Sequence, residues 1–289
     1  MQFKQYNNKN KPVFMYIHGE CLSSFSFKQE LKELKKDFTV ILPILPGHGD
    51  DTDTFRSIDQ CCEEILSFID QEYDGHIHVA SGFSLGGQIV VSLLAKRPDL
   101  CAFAMVESAH MQPVKLRNWS AYASTHANGL AKQKWFNKFM YYTVFNDDYA
   151  VDDYYANYQK MTKENLQAVL DASHSYEMAE GVSKATCKMA ILVGQREKKS
   201  LKHSANLLHD QVANSQIFML MNYTHGDFSL GNPNEYIRFV KSWVQNKDLQ
   251  QRKAVKKKKQ MQEGEYMPNW KHLMIKMKEK KAKKNLMKG

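Results

Sequence analysis

The 289-residue chain predicts an α/β fold, a mostly parallel sheet of about six or seven strands flanked by helices. Three observations predict it. Apolar runs alternate with helical patterns, the runs are continuous as in strands buried on both faces, and this rhythm breaks only once, between Ala109 and about Thr186.

The strand candidates in order are VFMYIH (13–18), FTVILP (38–43), HIHVASGF (76–83), CAFAMVES (101–108), KMAILVG (188–194) and SQIFMLM (215–221). Helix candidates near 24–36, 57–73, 85–97, 200–213 and 233–246 separate them. The break has no buried-strand signal and is dense in aromatics, among them Trp119, Tyr122, Trp135, Phe139, Tyr141, Phe145, Tyr149 and Tyr154. It reads as a helical insertion, most of whose aromatics pack its own core. Its position places it at the C-terminal edge of a strand, where such sheets bind ligands. The expected organisation is therefore a core formed by 1–108 and 187–246, an insertion at 109–186 and a basic tail at 247–289.

The net charge of +9 is concentrated in that tail: from Lys247 to Gly289 there are 15 basic against 4 acidic residues, leaving −2 for residues 1–246. The basic balance is thus no signature of a nucleic-acid enzyme, and no nucleic-acid partner is expected. Within the tail, Trp270, Leu273, Met274 and Met277 recur at helical spacing among lysines. This stripe reads as a solvated extension or as a helix docking on an anionic membrane or acidic partner. No apolar stretch reaches the roughly 18 residues needed to span a membrane, and the N-terminal residues lack a signal-peptide pattern, so a cytoplasmic location is expected. Cys21, Cys61, Cys62, Cys101 and Cys187 lack metal spacing and read as reduced structural thiols. Asp50, Asp51 and Asp53 beside His48 read as a solvated acidic loop, because no further ligands stand at suitable spacing.

The chemistry is carried by Gly82-Phe83-Ser84-Leu85-Gly86-Gly87, which joins a strand to a helix. A serine hydroxyl is a poor nucleophile unless a base takes its proton and donors hold the resulting oxyanion. A sharp strand-to-helix turn lifts the side chain clear of the sheet and offers the Leu85 N–H at a helix N-terminus.

Four matches, the last of them made of two segments, resemble the α/β-hydrolase family over about residues 11–246. Tyr16-Ile17-His18-Gly19-Glu20 resembles the oxyanion loop, Leu45-Pro46-Gly47-His48-Gly49 the P-G-H-G loop of esterase and monoacylglycerol-lipase-like members, and the run around Ser84 the nucleophile elbow. Val193-Gly194-Gln195-Arg196-Glu197 and Asn222-Tyr223-Thr224-His225-Gly226 stand where the family places its acid and its histidine. The resemblance implies Ser84 as nucleophile, His225 as base and Glu197 as acid, with Glu107 the rival acid from the end of the preceding strand. It also implies oxyanion donors at the N–H groups of Leu85 and Glu20, or Cys21. Glutamate replaces the usual aspartate, and Thr224 the usual glycine. His110, at the entrance to the insertion, is a candidate pocket residue, whereas His18 and His48 are expected to fix loops. Neither cofactor nor metal is required. The implied activity is cleavage of a small carboxylic ester with an apolar acyl or aryl group. Acyl thioester or C–C bond hydrolysis is the alternative, and a non-catalytic binding protein is disfavoured because serine, acid and histidine stand in the family's order.

Overall fold

The structure, a computed structural model, describes residues 1–7, 10–114, 129, 132–144, 148 and 150–245. The basic tail and the aromatics Trp119, Tyr122, Phe145 and Tyr149 lie outside the described residues.

Five continuous apolar runs form the heart of a seven-stranded sheet: β2 (Val13–Ile17), β3 (Thr39–Ile44), β4 (Ile77–Phe83), β5 (Cys101–Glu107) and β6 (Lys188–Gly194). Helices on both faces cover them, which is why their residues are apolar without alternation. The outer strands are β1 (Gln2–Tyr6) and β7 (Ser215–Leu220), and the order across the sheet is β1-β3-β2-β4-β5-β6-β7. Only β1 is antiparallel, pairing Gln2 with Ile44 through Tyr6 with Val40. It was not expected from the sequence, because its polar and aromatic residues form no buried run.

The helices of the body are α1 (Lys28–Leu34), α2 (Ile58–Tyr73), α3 (Leu85–Lys96), α7 (Lys199–Gln211) and α8 (Pro233–Val244), each following a strand. Their limits follow from local chemistry. Ser57 caps α2 by accepting the Gln60 N–H at 3.1 Å, and the helix ends at Asp74 in the left-handed region. Proline opens α8, where its missing N–H costs nothing.

Between β5 and β6 the described residues form α4 (Lys134–Val144), α5 (Val151–Lys160) and α6 (Lys163–His174). Their aromatics divide. Tyr141 and Tyr154 are buried, Tyr154 edge-on to Phe25 of the body and Tyr141 edge-on to Tyr154, whereas Trp135 is 67% exposed. Insertion aromatics therefore pack in part on the body, not only on one another.

Register brings the working edge into line. Ile17 pairs with Gly82, Phe83 with Glu107 and Glu107 with Leu192, so the loops after β2, β4, β5 and β6 leave the sheet at one level. Among the described residues, no helix is long and apolar enough to cross a membrane. The five cysteines are free and four are buried.

Candidate active site

Ser84 sits between β4 and α3 with φ 53° and ψ −114°, a conformation that costs a non-glycine residue ~1–3 kcal/mol. Its surroundings impose it. The Ser84 N–H donates to Glu107 O at 2.9 Å, and Ser84 O takes the Gln88 N–H at 3.1 Å as the first turn of α3. The turn closes only because Gly82 and Gly86 lack side chains: a Cβ on Gly82 would stand 2.2 Å from Gly86 O, and one on Gly86 2.0 Å from Ile17 O. Leu85, fully buried, is the first residue of α3.

The loop after β2 runs beside this turn, since a Cβ on Gly19 would lie 2.8 Å from the Phe83 ring and 3.3 Å from Phe83 O. Inside the loop, His18 is buried and bonded at both ring nitrogens. Nδ1 donates to Gly19 O at 2.9 Å while Nε2 accepts the Leu45 N–H at 3.2 Å, which fixes the tautomer. Burial, with the neighbouring His48, pushes its pKa down to about 3, so it is neutral. His48 is likewise buried, lies against Pro46 O at 3.0 Å and is pushed down to about 4 by burial. Both histidines thus serve as loop fixtures. Glu20 is half-buried; Cys21 adopts φ 58°, and burial followed by the charge of Glu20 pushes its thiol up to about 12. The adjacent acidic loop is paired rather than simply solvated: Asp50 meets Lys160 at 2.6 Å, and buried Asp51 lies 3.6 Å from the Met1 amino group.

His225 lies on the loop after β7, its ring centroid 4.9 Å from that of Phe83, the residue before Ser84. The loop is braced locally. Thr224 donates both its N–H and its hydroxyl to Asp227 Oδ2, at 2.7 and 2.6 Å, which gives the threonine in place of glycine a structural reason. It is also tied to the loop after β6, where Arg196 N–H donates to Tyr223 O at 3.0 Å and Asn222 N–H to Gln195 Oε1 at 3.1 Å.

Those ties bring Glu197 to the histidine. Its Oε2 stands 3.8 Å from His225 Nδ1, an ion-pair distance longer than a hydrogen bond; the glutamate side chain is 1% exposed and the histidine 46%. Oε1 takes the Ser108 hydroxyl and the Gly194 N–H, the latter at 3.1 Å. Burial raises the Glu197 pKa, but His225, Ser108 and Gly194 outweigh it and hold the carboxyl below its usual range.

Glu107 is brought to the same place from beneath, without an ion pair to His225 among the described residues. Its Oε1 accepts the Ser229 N–H at 3.2 Å, and its Oε2 is buried with no hydrogen-bond partner among the described residues. Burial, reinforced by the charge of Glu197, pushes its pKa up to about 7. His110 is half-buried, its carbonyl takes Gln88 Nε2 at 3.1 Å, and burial followed by the charges of His225, His174 and Lys198 pushes it down to about 4. A cleft of about 440 Å³ among Ser57, Lys96 and Tyr176 contains none of the sequence-predicted site residues.

Sequence reasoning missed Ser108, Ser229 and Asn157. The one local signal was the position of Ser108 at the end of the strand candidate 101–108.

This strand-turn-serine-turn-helix, with an acid and a histidine on successive later loops, defines the α/β-hydrolase class. Residues 12–167, more than half of the chain, match the alpha/beta hydrolase fold family, and the chain belongs to it. Over 100 residues it is 27% identical to an uncharacterized hydrolase of Bacillus subtilis, YugF, covering 34% of this chain and 37% of that one. The match thus spans little more than a third of that relative. A thermophilic esterase from Thermogutta terrifontis has a TM-score of 0.68 at 16% identity, covering 85% of this chain and 93% of its own. An enol-lactonase from Burkholderia xenovorans gives 0.70 at 13% identity, covering 84% and 96%. At such identities the likeness establishes the fold alone.

Proposed function

We propose that the protein is a serine hydrolase that cleaves a carboxylic ester with an apolar acyl or aryl group, using Ser84, His225 and Glu197. The observation that carries the reading is the buried Glu197 carboxylate 3.8 Å from Nδ1 of a half-exposed His225, whose ring rests against the residue preceding Ser84. A carboxylate there holds the imidazole with Nδ1 protonated and Nε2 free to act as base. Apo geometry of this kind is often longer than the working hydrogen bond.

In the first half-reaction His225 Nε2 takes the Ser84 proton and Oγ bonds to the ester carbonyl carbon. The oxyanion rests on the N–H groups of Leu85 and Glu20. As it collapses, the bond from carbon to the alcohol oxygen breaks and that oxygen leaves with the proton held by His225. In the second, His225 deprotonates water, the hydroxide attacks the acyl-serine, and Oγ regains its proton as the acid departs. Glu107 is not the acid in this scheme, since it is buried beneath the loop, pushed up to about 7 by burial and bonded to Ser229 N–H. The esterase and enol-lactonase among the similar folds support ester chemistry.

The test is a panel of p-nitrophenyl esters of graded acyl length beside matching acyl thioesters. Ester turnover is expected, with Ser84→Ala and His225→Ala each lowering kcat by at least ~10³-fold. A strong preference for thioesters would make the protein a thioesterase, and undiminished turnover by Ser84→Ala would remove the reading.

A further inference from the structure

One buried amide joins the insertion to the loop beside the nucleophile. Asn157 lies on α5 with its side chain buried, the whole residue 3% exposed. Its Oδ1 accepts the Gly49 N–H at 2.7 Å, and its Nδ2 donates to Cys21 O at 2.8 Å. Gly49 belongs to the loop after β3 and Cys21 to the loop after β2, so a single carboxamide spans two loops more than 100 residues away in sequence. Only a side chain with both donor and acceptor serves both.

These loops need such a tie. Cys21 holds φ 58°, and Gly47 and Gly49 hold 71° and 60°. The loop after β2 is pinned at Gly19 O by His18 and at Cys21 O by Asn157. Between the two pins lies the N–H of Glu20, the donor that this loop supplies beside Leu85 in the proposed reaction, with that of Cys21 as its alternative. Fixing the Cys21 carbonyl limits rotation about that residue and so the direction in which its neighbours' N–H groups point. Two ion pairs from α5 to the body, Lys160 to Asp50 and Lys28 to Asp153, both at 2.6 Å, are substantially exposed and contribute little.

We propose that Asn157 is a positioning residue for the oxyanion loop, so that helix α5 of the insertion takes part in transition-state stabilisation. The proposal rests on the serine-hydrolase reading above. It requires the donor half of the amide: an aspartate at 157 retains the acceptor for Gly49 but sets a carboxylate oxygen against Cys21 O.

The experiment compares wild type with Asn157→Asp, Asn157→Ala and Lys160→Met for turnover of p-nitrophenyl acetate. It also measures inhibition by an aliphatic trifluoromethyl ketone, whose serine adduct carries the oxyanion, and by the corresponding alcohol, which forms no adduct. Asn157→Asp is expected to lower kcat by roughly 10- to 100-fold with KM within about threefold, short of the ~10²–10³ lost when a donor is removed outright. Ketone affinity should weaken by the same factor, with alcohol affinity unchanged and Lys160→Met near wild type. Asn157→Ala, whose space water can enter, carries the same expectation should the aspartate variant not fold. Wild-type kcat and ketone affinity in a folded variant overturn the proposal. So does equal weakening of ketone and alcohol, or an equal loss in Lys160→Met, since each would make the effect one of general packing. If Ser84→Ala hydrolyses the ester as wild type does, the serine-hydrolase reading itself fails; if Ser84→Ala is inactive and Asn157→Asp fully active, only the role of Asn157 fails.

Discussion

Ser108 donates its hydroxyl to Oε1 of Glu197, the oxygen that also takes the Gly194 N–H at 3.1 Å, which leaves Oε2 to face His225 at 3.8 Å. The neighbouring Glu107 completes the arrangement. Its carbonyl accepts the Ser84 N–H at 2.9 Å and its side chain accepts the Ser229 N–H at 3.2 Å. Two residues at the end of β5 therefore contact the segments that carry serine, acid and histidine. Hydrogen bonds to a charged group are worth ~1.5–3 kcal/mol, so Ser108→Ala should lower stability by about that much. It should also reduce kcat several-fold as Glu197 gains freedom to turn from His225. Denaturant unfolding and ester kinetics on the one variant check both.

Glu197→Gln keeps the volume and removes the charge that faces His225. An amide that donates to Nδ1 selects the tautomer with the proton on Nε2, the nitrogen needed as base. A fall in kcat of ~10³–10⁴-fold with little change in KM is expected from that cause. Retention of more than a tenth of wild-type kcat would transfer the acid role elsewhere, with Glu107→Gln as the companion measurement.

Glu107 makes stability depend on pH with a sign opposite to that of a paired carboxylate. Its ordinary value is 4.5, and burial pushes the folded value up to about 7. Between those two values the unfolded chain binds fewer protons than the folded one, so the Glu107 contribution weakens the fold as pH rises through that window. Glu107→Gln, which resembles the protonated acid, removes the dependence. The variant should gain on wild type from about pH 4.5 to 7 and hold its advantage above, by on the order of 3 kcal/mol at most. Urea unfolding at pH 5 and pH 8 reads the difference, and an advantage that shrinks with rising pH would contradict it.

The elbow tolerates no side chain at Gly86, where a Cβ would stand 2.0 Å from Ile17 O and 2.8 Å from His18 O. Both obstacles are backbone atoms of β2 and its loop, so relief requires moving a central strand. Gly86→Ala should cost more than ~4 kcal/mol and leave little folded protein, as circular dichroism and thermal melting would show.

Strands β2 to β6 are legible in the sequence because each is a continuous apolar run, and the strand-turn-helix at Ser84 because its glycines must stand close by in the chain. β1 is illegible for the converse reason: Lys4 and Gln5 separate its aromatics, and it pairs with β3 alone. The supports of the site are equally hidden. Ser108 and Glu197 are 89 residues apart and Asn157 and Cys21 136, and nothing near a lone serine or asparagine marks the distant partner. Glu107 shows the limit most clearly. The sequence offers it only as a rival acid, whereas in the fold it is 3% exposed and accepts the N–H of Ser229, 122 residues away. Aromatic density revealed the insertion but not its facing, since Tyr141 is buried while Trp135 is exposed.

The most direct measurement is the site and rate of modification by diisopropyl fluorophosphate, read by intact mass and peptide mapping. A single adduct on Ser84 is expected, absent from Ser84→Ala and formed at least ~10²-fold more slowly by His225→Ala, because attack on phosphorus needs the same base. An adduct on another residue, undiminished labelling of Ser84→Ala, or no labelling of the folded wild-type protein would contradict the account.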